Sequence, residues 1–339
     1  MSDLIRQAVS RLKAGELVVM PTETVYGLAA DATNPQALRK IFAAKQRPAD
    51  HPLIVHLKNP CLKTMDLKEC EDAWSHLLAQ WSRDVSPEAL LLAKKYWPGP
   101  LTMILPKAKR VLDEVTGGQD TVGLRCPDQP LALELLRDFG SGLAAPSANR
   151  FGRISPTTAA HVREEFKDLG LLVLDGGPCR VGIESTIVDL TRLSTHGPVI
   201  LRPGIISQQE IEKTLQMTGQ HHLSGGPRVS GSLSAHYAPK TRMVFAGKLD
   251  SLSIQQDANV AWIHFKNSKL PDSLSNTHVT EVEIATDMPV VARQLYSLLR
   301  ELDERHFDFL CFDELPDDVS WDAVRDRLTR AVTGSGINP

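Results

Sequence analysis

The sequence predicts an α/β protein: a mixed-sheet domain over roughly the first two hundred residues, then a small domain of alternating strands and helices. Three observations carry this. Apolar runs of strand length, such as Leu17-Val18-Val19-Met20, "PLIVHL", "LTMIL" and "TVGLR", are interleaved irregularly with stretches of helical apolar spacing. A Gly-, Ser- and Pro-rich stretch without periodicity, "QMTGQHHLSGGPRVSGSLSAHYAP", separates them from a second, more regular pattern. The 339 residues are about twice a typical domain length. The expected division is 1–206, a connecting segment 207–239, and 240–339.

Taken in order, Leu4, Ile5, Ala8, Val9 and Leu12 recur at helical spacing, and Gly15 is suited to follow the helix end. The strand to Met20 leads into "PTETVYG". Asn34-Pro35 opens a second helix, Asn as N-cap and Pro at the first helical position, with Leu38, Ile41 and Phe42 on its apolar face. "PLIVHL" is a buried strand. Ser86-Pro87 starts a helix running to Trp97, "WPGP" is a turn, and "LTMIL" and "TVGLR" are strands. Asp128 is the expected cap of the helix ending at Gly140. "GLAAPSAN", "LLVLDGG", "ESTIVDL" and "PVILRPG" supply further strands and turns, and Ser207 with Glu210 forms a capping box before "IEKTL". The second domain reads "RMVFAG", "NVAWIHF" and "VTEVEI" as strands, then a helix over 289–304, the strand "FDFLCF" and a final helix "WDAVRDRLTRAV". It contains no G-x-G-x-x-G.

A net charge of −3, from 38 basic and 41 acidic residues, gives no global basic field for nucleic acid. The five cysteines, scattered without a C-x-x-C pair, fit a reducing compartment and argue against a thiolate zinc site. The amphipathic start lacks the apolar core of a signal peptide, and no apolar run reaches membrane-spanning length. The expectation is a cytoplasmic protein.

Several stretches break the apolar logic of the first domain. "PTETVYG" places Thr22, Glu23, Thr24 and Tyr26 at the mouth of a buried strand: a polar turn or the floor of a binding site. "AKQRPADHPLIVH" holds Lys45, Arg47, His51 and His56, "TVGLRCP" holds Thr121 and Arg125, and "APSANRFGRIS" holds Ser147, Asn149, Arg150, Arg153 and Ser155. Arg180, Ser185, Thr186 and Arg202 follow. Each has a plainer reading. Lys45 and Arg47 could complement a helix C-terminus, "PSAN" could be an ordinary turn, His56 a core histidine and Arg202 a solvated charge. Together, cations and hydroxyls at strand ends suit a polyphosphate and a carboxylate. There is no P-loop, no H-E-x-x-H, no G-x-S-x-G and no kinase signature, and Cys126 reads as buried packing.

"PTETVYGL", "IFAAKQRPADHPLIVH", "WPGPLTMIL", "TVGLRCP", "APSANRFGRISPT", "DGG…GIESTIVD" and "LRPG", in that order over roughly residues 5–205, resemble the threonylcarbamoyl-AMP synthase family, the YrdC-like domain. Lys45, Arg47, Ser147 and Asn149 match its K-x-R…S-x-N signature, and "HYAP" with the domain after it resembles the long two-domain form. The resemblance implies a YrdC-like twisted sheet with a concave positive cavity, followed by a small Rossmann-like domain. It implies synthesis of threonylcarbamoyl-AMP and pyrophosphate from L-threonine, bicarbonate and ATP, feeding the tRNA threonylcarbamoyltransferase machinery. Lys45 and Arg47 would be catalytic. Thr24, His56, Arg125, Ala145 and Ser185 would line the threonine site. Arg47, His51, Thr121, Ser147, Asn149, Ser155, Arg202 and His236 would line the nucleotide site. Mg²⁺ would come with ATP, without a protein cage. His51 stands where the family commonly has Asn, and Ser230-Gly231-Ser232 where it carries a Pro-Gly-Met-like turn. Residues 217–239 read as a lid over the cleft or as a disordered tether. The alternatives are an RNA-binding module using the concave surface, or a carbamoyl-transfer enzyme, whose zinc-finger and acylphosphatase-like regions have no counterpart here.

Overall fold

The helix expected at the start of the chain forms as α1 (Asp3–Lys13). The Ser2 side chain caps it, and Ile5, Ala8, Val9 and Leu12 face the core. Structure is described for residues 2–220, 225–251 and 254–336 of a computed structural model; residues 221–224 of the expected connecting segment, with 1, 252–253 and 337–339, lie outside the described residues. Two compact units emerge. The first takes in the chain up to Arg150, Pro156–Arg180 and Glu184–Ser232; the second takes in Phe151–Ser155, Val181–Ile183 and the chain from Leu233.

The first unit is built on nine strands: β1 (Val18–Met20), β2 (Gly27–Asp31), β3 (Ile54–His56), β4 (Leu101–Pro106), β5 (Thr121–Arg125), β6 (Leu143–Ala144), β7 (Leu172–Val173), β8 (Thr186–Asp189) and β9 (Val199–Arg202). They form one mixed sheet in the order β7-β1-β2-β6-β3-β5-β4-β8-β9. Its helices after α1 are α2 (Pro35–Lys45), α3 (Leu67–Leu78), α4 (Pro87–Tyr96), α5 (Asp113–Thr116), α6 (Pro130–Phe139), α7 (Ala159–Glu165), α8 (Leu193–His196) and α9 (Gln208–Leu215). Strands buried on both faces read as continuous apolar runs, which is why β4 and β8 carry almost no exposed residue.

The local signals act where expected. Asn34 accepts the Gln36 and Ala37 N–H groups ahead of Pro35, and Ser86 accepts the Ala89 N–H ahead of Pro87. Ser207 and Glu210 close a reciprocal capping box, which sends Ile211 and Leu215 of α9 into the main core. Three expectations need correction. Asp128 does not cap α6. Gln129 does, through its side-chain oxygen on the Ala132 N–H, because Pro130 takes the first helical position one residue later than expected. Helix α3, absent from the sequence reading, has its own capping box from Asp66 and Glu69, but it buries only Trp74 and Leu78, so its apolar face is thin. Cys61 and Cys70, nine positions apart, are joined by a disulfide at a Cα–Cα distance of 5.0 Å, whereas Cys126, Cys179 and Cys311 are free and buried. No cysteine spacing motif announced that pair.

The second unit has a four-stranded, all-parallel sheet of β10 (Arg242–Phe245), β11 (Asn259–Phe265), β12 (His278–Ile284) and β13 (Phe309–Phe312), in the order β10-β13-β11-β12. Helix α10 (Met288–Glu304) crosses from β12 to β13, and α11 (Asp322–Gly334) follows. Parallel neighbours require such crossovers, and the helix expected over 289–304 supplies this one. Trp262 stacks on His264 and donates its indole N–H to Asp313, which also accepts the Phe265 N–H.

Candidate active site

Three groups of predicted side chains assemble within the first unit. The strand directions explain the first two. β3, β5 and β9 run the same way and β8 runs opposite, so the last residues His56, Arg125 and Arg202 share one end of the sheet with Ser185, which enters β8.

The first group is Thr24, His56 and Arg125. Thr22 organises the turn that brings Thr24 in. Its hydroxyl donates to Val25 O at 2.6 Å and accepts the Thr24 and Val25 N–H groups. That hydroxyl also lies 2.9 Å from Thr24 Oγ1. Arg125 Nη1 donates to Thr24 Oγ1 at 2.9 Å, and Nη2 meets the Glu23 carboxylate at 2.6 Å. Both members of this ion pair are buried. A buried charge is tolerated when it is paired and hydrogen-bonded; Glu23 Oε2 accepts the Asp128 N–H, and Arg125 Nε donates to Gly99 O. His56 stands in register with Arg125 on the neighbouring strand. Burial, and then the Arg125 charge, push its imidazole from 6.5 down to about 3, so it is neutral, and its buried Nδ1 makes no hydrogen bond. Ala145 donates its N–H to Ile54 O, two residues before His56, and lies against Gly27, where an added Cβ would come within 3.1 Å of the Ala145 Cβ.

The second group is Ser185 and Arg202. Arg202 Nη2 donates to Ser185 O at 2.9 Å and to Ser185 Oγ at 3.1 Å, and Thr102 Oγ1 is 2.8 Å from the same Ser185 oxygen. Arg202 Nη1 donates to Ser230 O at 2.9 Å. Ser230 belongs to the connecting segment, and so does Val229, which packs with Ile104 and Ile187. Arg228 fixes the same stretch: its N–H donates to the Gln119 side chain and its guanidinium reaches Gly117 O. Only about 10 Å³ of space remains between 228–230 and the sheet around Thr121 and Gly123. A disordered tether is therefore not what residues 225–232 form.

The third group is Lys45, Ser147 and Asn149. The plainer reading of Lys45 and Arg47 is of charges at a helix C-terminus, which surface charges satisfy without burial. The structure corrects this: Lys45 is the last residue of α2, only 1% exposed, and Arg47 is also buried. Lys45 Nζ donates to Ser147 O and Asn149 O at 2.5 Å each. Burial, then the Arg47 charge, lower its pKa, against the opposing pull of Glu165 and Glu184. Ser147 faces Gly27 across an isolated bridge, and Ala148 N–H donates to Tyr26 O, which ties this turn to "PTETVYG". The Tyr26 hydroxyl in turn donates to Gly177 O and accepts the Gly176 N–H, and burial raises its pKa to about 12. Arg47 donates to Pro52 O, and His51, half-buried, is lowered first by desolvation and then by Arg47.

Ser155 and His236 belong to the second unit. There the His236 ring meets the Phe151 and Tyr237 rings edge-on, and its main-chain N–H donates to Arg330 O. Glu23, Thr22 and Thr102 support the site but were given no role from sequence. Glu23 stood out only as a carboxylate at a strand mouth, and Thr102 only as a polar residue inside the run "LTMIL". A separate surface cavity of about 470 Å³ between α1 and α2, bordered by Arg11, Lys40 and Arg150, contains none of the residues expected in the threonine and nucleotide sites.

Comparison with known proteins supplies the context. The family profile described as "Telomere recombination" (Sua5/YciO/YrdC) matches residues 10–204, and the profile described as "Threonylcarbamoyl-AMP synthase, C-terminal domain" matches residues 206–333. The threonylcarbamoyl-AMP synthase of Pyrococcus abyssi is 36% identical over 335 residues, covering 96% of this chain and 93% of that protein. That of Bacillus subtilis is 36% identical over 347 residues, covering 98% and 94%. The crystal structure of P. abyssi Sua5 complexed with L-threonine superposes with a TM-score of 0.79 at 32% identity, covering 98% of this chain and 94% of that one. With both profiles matched in order and the relatives aligned over nearly its whole length, this chain belongs to the threonylcarbamoyl-AMP synthase family in its two-domain form.

Proposed function

We propose that this protein is an L-threonylcarbamoyladenylate synthase, a nucleotidyltransferase acting in tRNA N6-threonylcarbamoyladenosine formation. The observation that carries the reading is the buried Arg125, oriented by Glu23 and Thr24 and in register with a neutral His56, in a chain aligned end to end with a threonine-bound relative. A guanidinium fork suits the threonine carboxylate, and a neutral imidazole with an unbonded nitrogen suits the threonine hydroxyl. The threonine amine captures bicarbonate to give a carbamate and water. A carbamate oxygen then attacks the α-phosphorus of ATP in line, the bond to the β-phosphate breaks, and pyrophosphate leaves. Positioning and charge neutralisation are what such a step needs from a protein.

In this reading Arg47 and Arg202 neutralise phosphate charge, and Thr121, Ser147, Asn149 and His51 hold nucleotide oxygens. Lys45 acts by holding the Ser147–Asn149 turn in shape. The nucleotide-side groups are nitrogen donors and hydroxyls, which suit phosphate oxygens, so Mg²⁺ would be carried by the phosphates and water. Residues 225–232 serve as a strap over the nucleotide side, a role supported by the Arg202–Ser230 bond and by the packing of Val229. The reading places the protein in the cytoplasm with the tRNA-modifying machinery; among the described residues no helix is long and apolar enough to cross a membrane.

The names of the relatives favour adenylate formation over the RNA-binding alternative. The test is incubation with ATP, bicarbonate and labelled threonine. Threonine-dependent pyrophosphate and the labelled adenylate are expected. Absence of both, together with tRNA binding that falls steeply with salt, would turn the reading toward RNA binding.

A further inference from the structure

The Glu23–Arg125 pair has capacity that carboxylate binding alone does not use. Arg125 spends one N–H of Nη2 on Glu23, one of Nη1 on Thr24 and Nε–H on Gly99 O. Of the five guanidinium donors, one N–H remains on each Nη. Glu23 receives Arg125 on Oε1 and the Asp128 N–H on Oε2, so each oxygen retains acceptor capacity. With the pair intact, its own net charge is zero. A lone buried Arg125 would favour any small carboxylate, whereas a matched pair favours a ligand that is itself an ion pair. An α-amino acid at neutral pH is such a ligand, with its ammonium and carboxylate on one carbon.

We propose that Glu23 is a specificity-determining residue that receives the ammonium of the amino-acid substrate while it holds Arg125 for the carboxylate, so that the pair reads an α-amino acid zwitterion and discriminates against hydroxy acids of the same shape. This inference rests on the threonine reading above and adds a role to it. The Glu23 carboxylate is only 2% exposed, so water screens its attraction for an ammonium far less than at a surface site. Its position between Thr22 and Thr24 is set by the hydroxyl turn, and its distance to Arg125 Nη2 is 2.6 Å. A charged hydrogen bond across such a pair gives selectivity through the group that would otherwise be left without a partner.

The experiment is calorimetric titration of the full chain with L-threonine and with 2,3-dihydroxybutanoate of the same configuration, which keeps the carboxylate and side chain and puts a hydroxyl in place of the ammonium. The wild type is expected to prefer threonine by at least about tenfold, and E23Q to narrow that preference to about threefold or less. E23D, which keeps the charge, is expected to retain more of the preference than E23Q. A role confined to structure would weaken both ligands equally. An unchanged threonine preference in E23Q therefore overturns the inference while leaving threonine as the substrate. Should E23Q fail to fold, equal binding of the two ligands by the wild type overturns it just as directly. A wild type that binds no threonine overturns this inference and the proposed function together.

Discussion

The side-chain nitrogen of Lys45 lies 2.5 Å from the main-chain oxygen of Asn149, and 2.5 Å from that of Ser147, so the end of α2 is fastened to the Ser147–Asn149 turn. Lys45→Ala removes both bonds and leaves a buried gap. It is expected to lower adenylate formation on the order of a hundredfold and to cost about 2 kcal/mol of stability. Arg47→Ala is expected to lose activity to a similar degree, mainly through a raised KM for ATP. Turnover assays and thermal melts check both, and wild-type turnover in the double variant sinks the assignment.

Thr24, His56 and Ser185 imply recognition of the threonine hydroxyl. A pocket that hydrogen-bonds a hydroxyl rejects the analogue without it, because its buried polar groups lose their partner. Serine is expected to react poorly and 2-aminobutyrate more poorly still in a pyrophosphate-release assay. Equal rates for 2-aminobutyrate and threonine contradict this pocket.

His56 makes stability depend on pH. Its folded pKa of about 3 lies below the ordinary 6.5, for reasons of burial and then of Arg125. Below 6.5 the unfolded chain takes up a proton that the folded chain refuses, so stability falls as pH drops from about 6.5 toward 3. The slope from this one group approaches about 1.4 kcal/mol per pH unit. Melting curves between pH 7 and 4 should be flatter for His56→Gln than for the wild type. Parallel curves would show that His56 is not held neutral in the fold.

Val229 anchors the strap through Ile104 and Ile187. Val229→Asp is expected to release residues 225–232 to protease and to reduce activity by about tenfold, since a buried charge without a partner is not tolerated. In the wild type, ATP with threonine should further protect 217–239 in limited proteolysis. Equal cleavage with and without ligands rejects the strap's part in closure.

What is local or cumulative was legible in the chain. Asn34-Pro35, Ser86-Pro87 and the Ser207–Glu210 box set helix starts because each cap satisfies N–H groups within three residues. Apolar runs located the strands, in the second half as in the first, while the parallel pairing of β10 to β13 came only with the fold. The ordered motifs marked nearly every polar side chain that the first unit gathers at its site. The rest came from long-range packing. Glu23 meets Arg125 across 102 positions, and Lys45 meets Asn149 across 104, so no window of sequence contains either pair. Burial also changed what these residues are: a lysine and an arginine readable as charges past a helix end became enclosed groups, Lys45 on the Ser147–Asn149 turn and Arg47 against Pro52 O. Where a charge ends up depends on how its neighbours fold over it, and that is a property of long-range packing, not of the residues beside it in the chain.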